Sequence, residues 1–176
     1  VQTVELLGAA ELEAAVRAAW ERLAAAGLPS LAGHPHATNR PHVTVAAADR
    51  FTPVVRRRLD AAVAAALPLD VRLCGLHHFG HRGSLVWLLH PDAALRAAHA
   101  EVWRVLEGVP RRDPRYAPGG WTPHLSLALR LPADRAPDAR AVLAGAMPVV
   151  GALVAARSYD GTTRTVSPLG DASSGR

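Results

Sequence analysis

The sequence predicts an α+β fold of two lobes related by a pseudo-twofold, with a cleft between them. Three observations carry that expectation: strand and helix patterns alternate along the 176 residues, long segments repeat at an offset of about 80, and one short polar-apolar pattern occurs once in each copy. A chain of this length can bury one substantial core. The repeat divides it into units of residues 1–82 and 83–169 within a single domain, leaving 170–176 as a small polar tail expected to be flexible.

Residues 1–7 are an apolar run suited to a strand. Residues 9–26 set Leu12, Ala15, Val16, Ala19, Trp20 and Leu23 at helical spacing, ended by Gly27 and Pro29. Residues 31–40, with Gly, Pro, His and Asn, read as a loop, 42–47 as a strand, and 53–67 as a helix with Pro53 in its first turn. Strands at 71–77 and 85–89 flank a turn through Gly80, Arg82 and Gly83, a hairpin signal. A helix over 93–106 stops at Gly108 and Pro110. Residues 111–123, RRDPRYAPGGWTP, hold too much Pro and Gly for a regular element and form a long loop. A strand at 124–129, a helix at 137–146 and a second hairpin at 148–156 and 162–168, turning at Tyr159-Asp160-Gly161, complete the chain.

The two hairpins align without gaps. Residues 68–89 match 148–169 at an offset of 80, pairing Leu73 with Leu153, Phe79 with Tyr159 and Val86 with Val166. Upstream, PHVTV at 41–45 matches PHLSL at 123–127, an offset of 82. Strand side chains alternate in direction, so His42 and Thr44 share one face while Val43 and Val45 take the core face. The same parity puts His124 and Ser126 on one face and Leu125, Leu127 and Leu129 on the other. Across a pseudo-twofold the two imidazole-hydroxyl faces confront each other. Two histidines can pass protons to and from the oxygens flanking a phosphorus, since an unperturbed imidazole pKa of about 6.5 populates both forms near neutrality. Thr44 and Ser126 can donate to the non-bridging oxygens. The scheme requires no metal and no cofactor.

Composition narrows the partners. All 20 basic residues are arginine against 15 acidic ones, a net charge of +5 that permits an anionic substrate; the absence of lysine is explained as well by GC-rich coding. Cys74 is the single cysteine, which excludes an internal disulfide and a cysteine-based zinc site and fits a reducing, cytoplasmic setting. Alanine fills 36 positions, no run of 18 apolar residues occurs, and the first residues lack a secretory pattern, so no membrane association is expected.

The paired signatures HVTV at 42–45 and HLSL at 124–127, each after a proline and each in one copy of the repeat, resemble the 2H phosphoesterase superfamily, specifically its bacterial 2′-5′ RNA ligase and 2′,3′-cyclic phosphodiesterase-like branch. The resemblance covers residues 1–169. It implies two lobes, each an antiparallel sheet backed by helices, around a basic groove. It also implies metal-independent action on 2′,3′-cyclic phosphate ends of RNA or nucleotides, or on 2′-5′ linkages, with His42, Thr44, His124 and Ser126 at the catalytic positions. Serine replaces the commoner threonine in the second motif and keeps the hydroxyl. A monomer is expected.

Further candidates lie around these motifs. Arg40, two residues before His42, is placed to meet a phosphate, and Tyr116 and Trp121, just before His124, either to stack on a base or to pin their own loop to the surface. Phe79, in a cluster with His77, His78 and His81 near the first hairpin turn, is placed either to edge the groove or on an exposed turn. Arg111, Arg112 and Arg115 suit either RNA phosphates or plain surface solubility. His34, His36 and His42 form an H-x-H-x5-H pattern that a metal site could use, though it is loop-borne and lacks a carboxylate helper. Trp20 and Trp103 read as core, and Cys74 as a buried structural thiol. Hydrolysis of a cyclic phosphate is the favoured activity. Its rivals are reversible 2′-5′ ligation, action on an ADP-ribose-type cyclic phosphate, a non-catalytic RNA-end binding module and a metal-dependent hydrolase.

Overall fold

Alternating burial along the strands and caps at the helix starts set the elements. In the computed structural model, which describes residues 1–80 and 83–170, these are β1 (Gln2–Gly8), α1 (Ala10–Ala25), β2 (His42–Ala48), α2 (Pro53–Ala66), β3 (Leu69–Phe79), β4 (Ser84–Leu89), α3 (Ala93–Val105), β5 (His124–Ala128), α4 (Ala136–Val142), β6 (Val150–Asp160) and β7 (Thr165–Leu169). Thr52 caps α2 by accepting from Val55 N–H, with Pro53 in the first turn, and Asp92 caps α3 by accepting from Leu95 N–H at 2.8 Å. Gly27, at φ +67, takes the left-handed conformation just after α1. The proline-rich stretch 111–123 holds only a three-residue 3-10 turn, Pro114–Tyr116, and is tied to β2 by Asp113 N–H donating to Ala47 O at 2.8 Å.

The strands form one antiparallel sheet in the order β2-β1-β6-β3-β4-β5. That order reads the same from either end when β1, β2 and β3 are exchanged for β4, β5 and β6. Each half is therefore strand, helix, strand, helix, strand. The junction is the four-residue β3–β6 ladder, Leu69–Arg72 against Val150–Leu153. At an offset of 80 its centre falls on the pair Val71 and Gly151. Bulges recur at matched places, between Val4 and Glu5 in β1 and between Leu85 and Val86 in β4.

This order corrects part of the hairpin alignment. Both hairpins exist, and the match of β3 to β6 holds, but β4 and β7 do not occupy equivalent places. β4 lies between β3 and β5, whereas β7 pairs with β6 on the edge that β6 shares with β3. The counterpart of β4 is β1, from the start of the chain.

One apolar core runs through both halves, and the helices cross between them: α1 packs on β5 and α3 on β2. Trp20, buried as expected, donates its indole N–H to Ser126 O at 2.9 Å. Three residues depart from their expected places. Leu129 lies past the end of β5 and is 47% exposed rather than in the core. Cys74 is exposed on the solvent side of β3, since Leu69, Val71 and Leu73 take the buried parity. Trp103 is only half-buried, with the Arg112 guanidinium 3.9 Å over its ring. Among the described residues no helix is long and apolar enough to cross a membrane.

Candidate active site

His42 and His124 open β2 and β5, and the backbone holds both rings alike. His42 Nδ1 lies 2.7 Å from Arg40 O, and His124 Nδ1 lies 2.7 Å from Thr122 O, each the carbonyl two residues upstream. A carbonyl only accepts, so each Nδ1 carries the proton and each neutral ring presents the lone pair of Nε2. Thr44 and Ser126 follow on the same strand faces, half-buried, and neither hydroxyl has a hydrogen-bond partner among the described residues. Their backbone carbonyls are held by indoles: Trp20 bonds Ser126 O, and Trp121 Nε1 donates to Thr44 O at 2.9 Å.

The surroundings of the two rings differ. Glu5, opposite Thr44 in the β1–β2 ladder, places Oε1 3.7 Å from His42 Nε2, a carboxylate partner available to the protonated ring. Its other oxygen accepts from Arg157 Nε at 2.7 Å, and Arg157 also donates to Thr38 O at 3.0 Å. Both members of this ion pair are buried, Glu5 at 4% and Arg157 at 8% exposure. In the other half the matching positions, opposite Ser126 and across the next ladder, are Val86 and His77. Among the described residues His124 has no carboxylate partner. Burial holds its imidazole below the usual histidine range, the bond to Thr122 O opposes this, and the charges of His42 and His77 push it further down.

Each ring also borders its own cavity. The larger, of about 580 Å³, is lined by His42, Ser126, Arg40, Arg157, Tyr159 and Arg164 together with the loop histidines His34 and His36. The smaller, of about 240 Å³, lies against His124 and is walled by Phe79, Tyr116 and Trp121. Phe79 meets the His124 ring edge-on with centroids 5.4 Å apart, and Tyr159 holds the counterpart position on the other side.

With this geometry in place, comparison with known proteins is decisive at the level of family. The model of the 2′-5′ RNA ligase superfamily matches residues 11–156. The chain belongs to that superfamily. A search of curated proteins finds no match. Among solved structures, E. coli LigT complexed with 3′-AMP is 16% identical at a TM-score of 0.53, covering 96% of this chain and 93% of that one. Kluyveromyces marxianus Usb1 with uridine monophosphate is 15% identical at a TM-score of 0.53, covering 96% of both chains. A further structure described as a phosphoesterase is 15% identical at a TM-score of 0.54, covering 96% and 92%. At these identities the likeness is one of fold.

The remaining expected residues fall into place unevenly. Arg40 borders the large cavity, but its Nε is bound to Glu13 at 2.7 Å. Trp121 borders the small cavity with one face stacked on His99, ring centroids 4.0 Å apart and planes 6° off parallel, and its N–H spent on Thr44 O. It is thus a wall that also fixes β2. Arg111 is paired with Asp49, Arg115 with Asp113, and Arg112 lies over Trp103, which favours the surface reading of that trio. His77 stacks edge-on with Phe79 at 4.7 Å, and His78 meets Leu131 O; His81 lies outside the described residues. His34 and His36 share the cavity of His42, and no group of three His, Cys, Asp or Glu side chains among the described residues is arranged to hold a metal ion.

Sequence reading missed Glu5, Arg157, Tyr159, Arg164 and His99. Glu5 had a signal, a lone carboxylate inside the apolar run 4–7. Arg157 and Tyr159 had another, since the offset of 80 equates them with His77 and Phe79. His99, buried on α3 with Nε2 donating to Tyr116 O at 2.9 Å, had none.

Proposed function

We propose that the chain is a metal-independent phosphodiesterase that opens the 2′,3′-cyclic phosphate of RNA ends or nucleotides, with the halves acting as two lobes around a shared cleft. The observation that carries this reading is the matched pair of imidazoles, each turned by its upstream carbonyl so that Nε2 is free to exchange a proton. His124, held neutral by burial, takes a proton from water as the oxygen attacks phosphorus. The bond from phosphorus to one ribose oxygen breaks, and His42, beside the Glu5 carboxylate, gives that oxygen its proton. Thr44 and Ser126 donate to the non-bridging oxygens as charge builds there. In the reverse direction the two histidines exchange roles. That LigT was solved with 3′-AMP and Usb1 with uridine monophosphate supports a nucleotide as the ligand class.

The aromatic cavity beside His124 favours a second reading. A nucleoside bound there could present a ribose hydroxyl in place of water, which is 2′-5′ ligation. Incubating the protein with a 2′,3′-cyclic nucleotide in the presence of EDTA tests the main reading, and adding an RNA with a free 5′ end tests the second. Turnover should fall by about 10³-fold in His42→Ala and in His124→Ala. No turnover by the parent, or equal turnover in both variants, would leave an RNA-end binder as the better account.

A further inference from the structure

The large cavity holds more cationic and donor groups than one reacting phosphate can use. Of its three arginines, Arg157 is bound to Glu5 and Arg40 to Glu13, whereas Arg164 has no hydrogen bond or ion pair among the described residues. Arg164 closes the turn between β6 and β7 at φ +57, a left-handed conformation that glycine would adopt without strain.

The loop across the cavity supplies matching donors. His36 Nδ1 accepts from Thr38 N–H at 3.3 Å and lies 2.7 Å from Thr38 Oγ1, and His34 Nδ1 accepts from His36 N–H at 3.3 Å. With both Nδ1 atoms occupied as acceptors, each neutral ring carries its proton on Nε2, where it can be donated outward. Tyr159 stands between loop and turn, its ring 6.3 Å from that of His36 in an edge-on contact. The acidic groups nearby are engaged: Glu5 by Arg157, and Asp160 by Gln2 Nε2 at 2.9 Å and Thr162 N–H at 2.8 Å.

We propose that Arg164, His34 and His36 form a second phosphate subsite, which takes the 5′-phosphate of the nucleotide whose 2′,3′ end reacts at His42 and His124. This rests on the reading above, in which the leaving ribose oxygen lies on the His42 side, so the same nucleoside extends into the larger cavity with Tyr159 beside it. The substrate class is then a 5′-phosphorylated nucleotide or an RNA end, in which the 5′ oxygen always bears a phosphate, rather than an isolated nucleoside cyclic phosphate.

Calorimetric titration with adenosine 3′,5′-bisphosphate and with adenosine 3′-monophosphate tests it without requiring turnover. The parent should bind the bisphosphate about ten-fold more tightly, the gain of one charge-assisted contact. That ratio should fall toward one in Arg164→Gly, a substitution the positive φ favours, and be partly kept in Arg164→Lys. Equal affinities in the parent, or an undiminished ratio in Arg164→Gly, would overturn the subsite. Hydrolysis of a 2′,3′-cyclic nucleotide by the same preparation judges the catalytic reading separately: a bisphosphate preference without turnover removes the chemistry and keeps the subsite.

Discussion

The half that carries His42 and the half that carries His124 share a scaffold and differ in what surrounds it. In both, a histidine opens a strand, its Nδ1 is tied to the carbonyl two residues back, a hydroxyl follows on the same face, and an indole holds the hydroxyl residue's carbonyl. One ring then lies beside a buried carboxylate-guanidinium pair and a cavity bordered by three arginines; the other half has Val86 and His77 at the matching positions, and its ring borders an aromatic-walled cavity. Backbone repetition presents two imidazoles alike, and neighbouring side chains make their surroundings unequal; on the function proposed above, that inequality separates the base from the acid.

The largest effect should come from removing the feature present in one half only. Arg157→Met leaves Glu5 charged and buried, and breaking such a pair costs about 3–5 kcal/mol; chemical denaturation should show a loss of that size. Replacing both partners, as in Glu5→Leu with Arg157→Met, should recover most of it, because the other half already tolerates an apolar residue at the matching position. A single variant within about 1 kcal/mol of the parent would mean the pair does not anchor the His42 half. Next, Thr44→Val and Ser126→Ala probe what the halves share. Each should lower kcat by 10- to 100-fold, up to about 2.7 kcal/mol in the barrier, with the melting temperature little changed. Rates within two-fold of the parent in both would remove the hydroxyls from the mechanism.

The shared features were legible in the sequence and the distinguishing ones largely were not. Parity alone placed His42 with Thr44 and His124 with Ser126, because a period of two leaves no freedom once Val43 and Leu125 are assigned to the core. The repeat was visible too, yet it misled at β7: linear alignment carries the β3–β6 match forward along the chain, whereas the counterpart of β4 is β1, which opens the other half. Glu5 and Arg157 are 152 residues apart and meet only through the β1–β6 ladder. Position alone offers Arg40 to a phosphate, but Glu13, reached from α1, takes part of its charge.

Gly83 tests the second half in turn. It sits at φ +63, and a Cβ there would come within 2.7 Å of Leu131 O, whose own residue donates its N–H to Gly83 O at 2.7 Å. Gly83→Ala should therefore cost about 2 kcal/mol, combining left-handed strain with a clash against backbone that cannot step aside. An unchanged unfolding midpoint would show that the β3–β4 turn is not held against the chain that leaves β5.

The smallest effect follows from the depressed His124. Its folded pKa lies below the unfolded value of about 6.5, so on acidification the unfolded chain binds the proton first. The stability tied to the neutral ring is present above pH 6.5 or so and is lost as pH falls toward the folded pKa. Buried His99, depressed mainly by desolvation with its bond to Tyr116 O opposing, adds a loss of the same sign. Melting temperatures at pH 7.5 and 5.0 should thus drop in the parent and drop less in His124→Gln, with His99 accounting for part of what remains. Parallel shifts in parent and variant would show that burial does not set the protonation of His124. The proposed division into base and acid would then rest on the Glu5–Arg157 pair beside His42 alone.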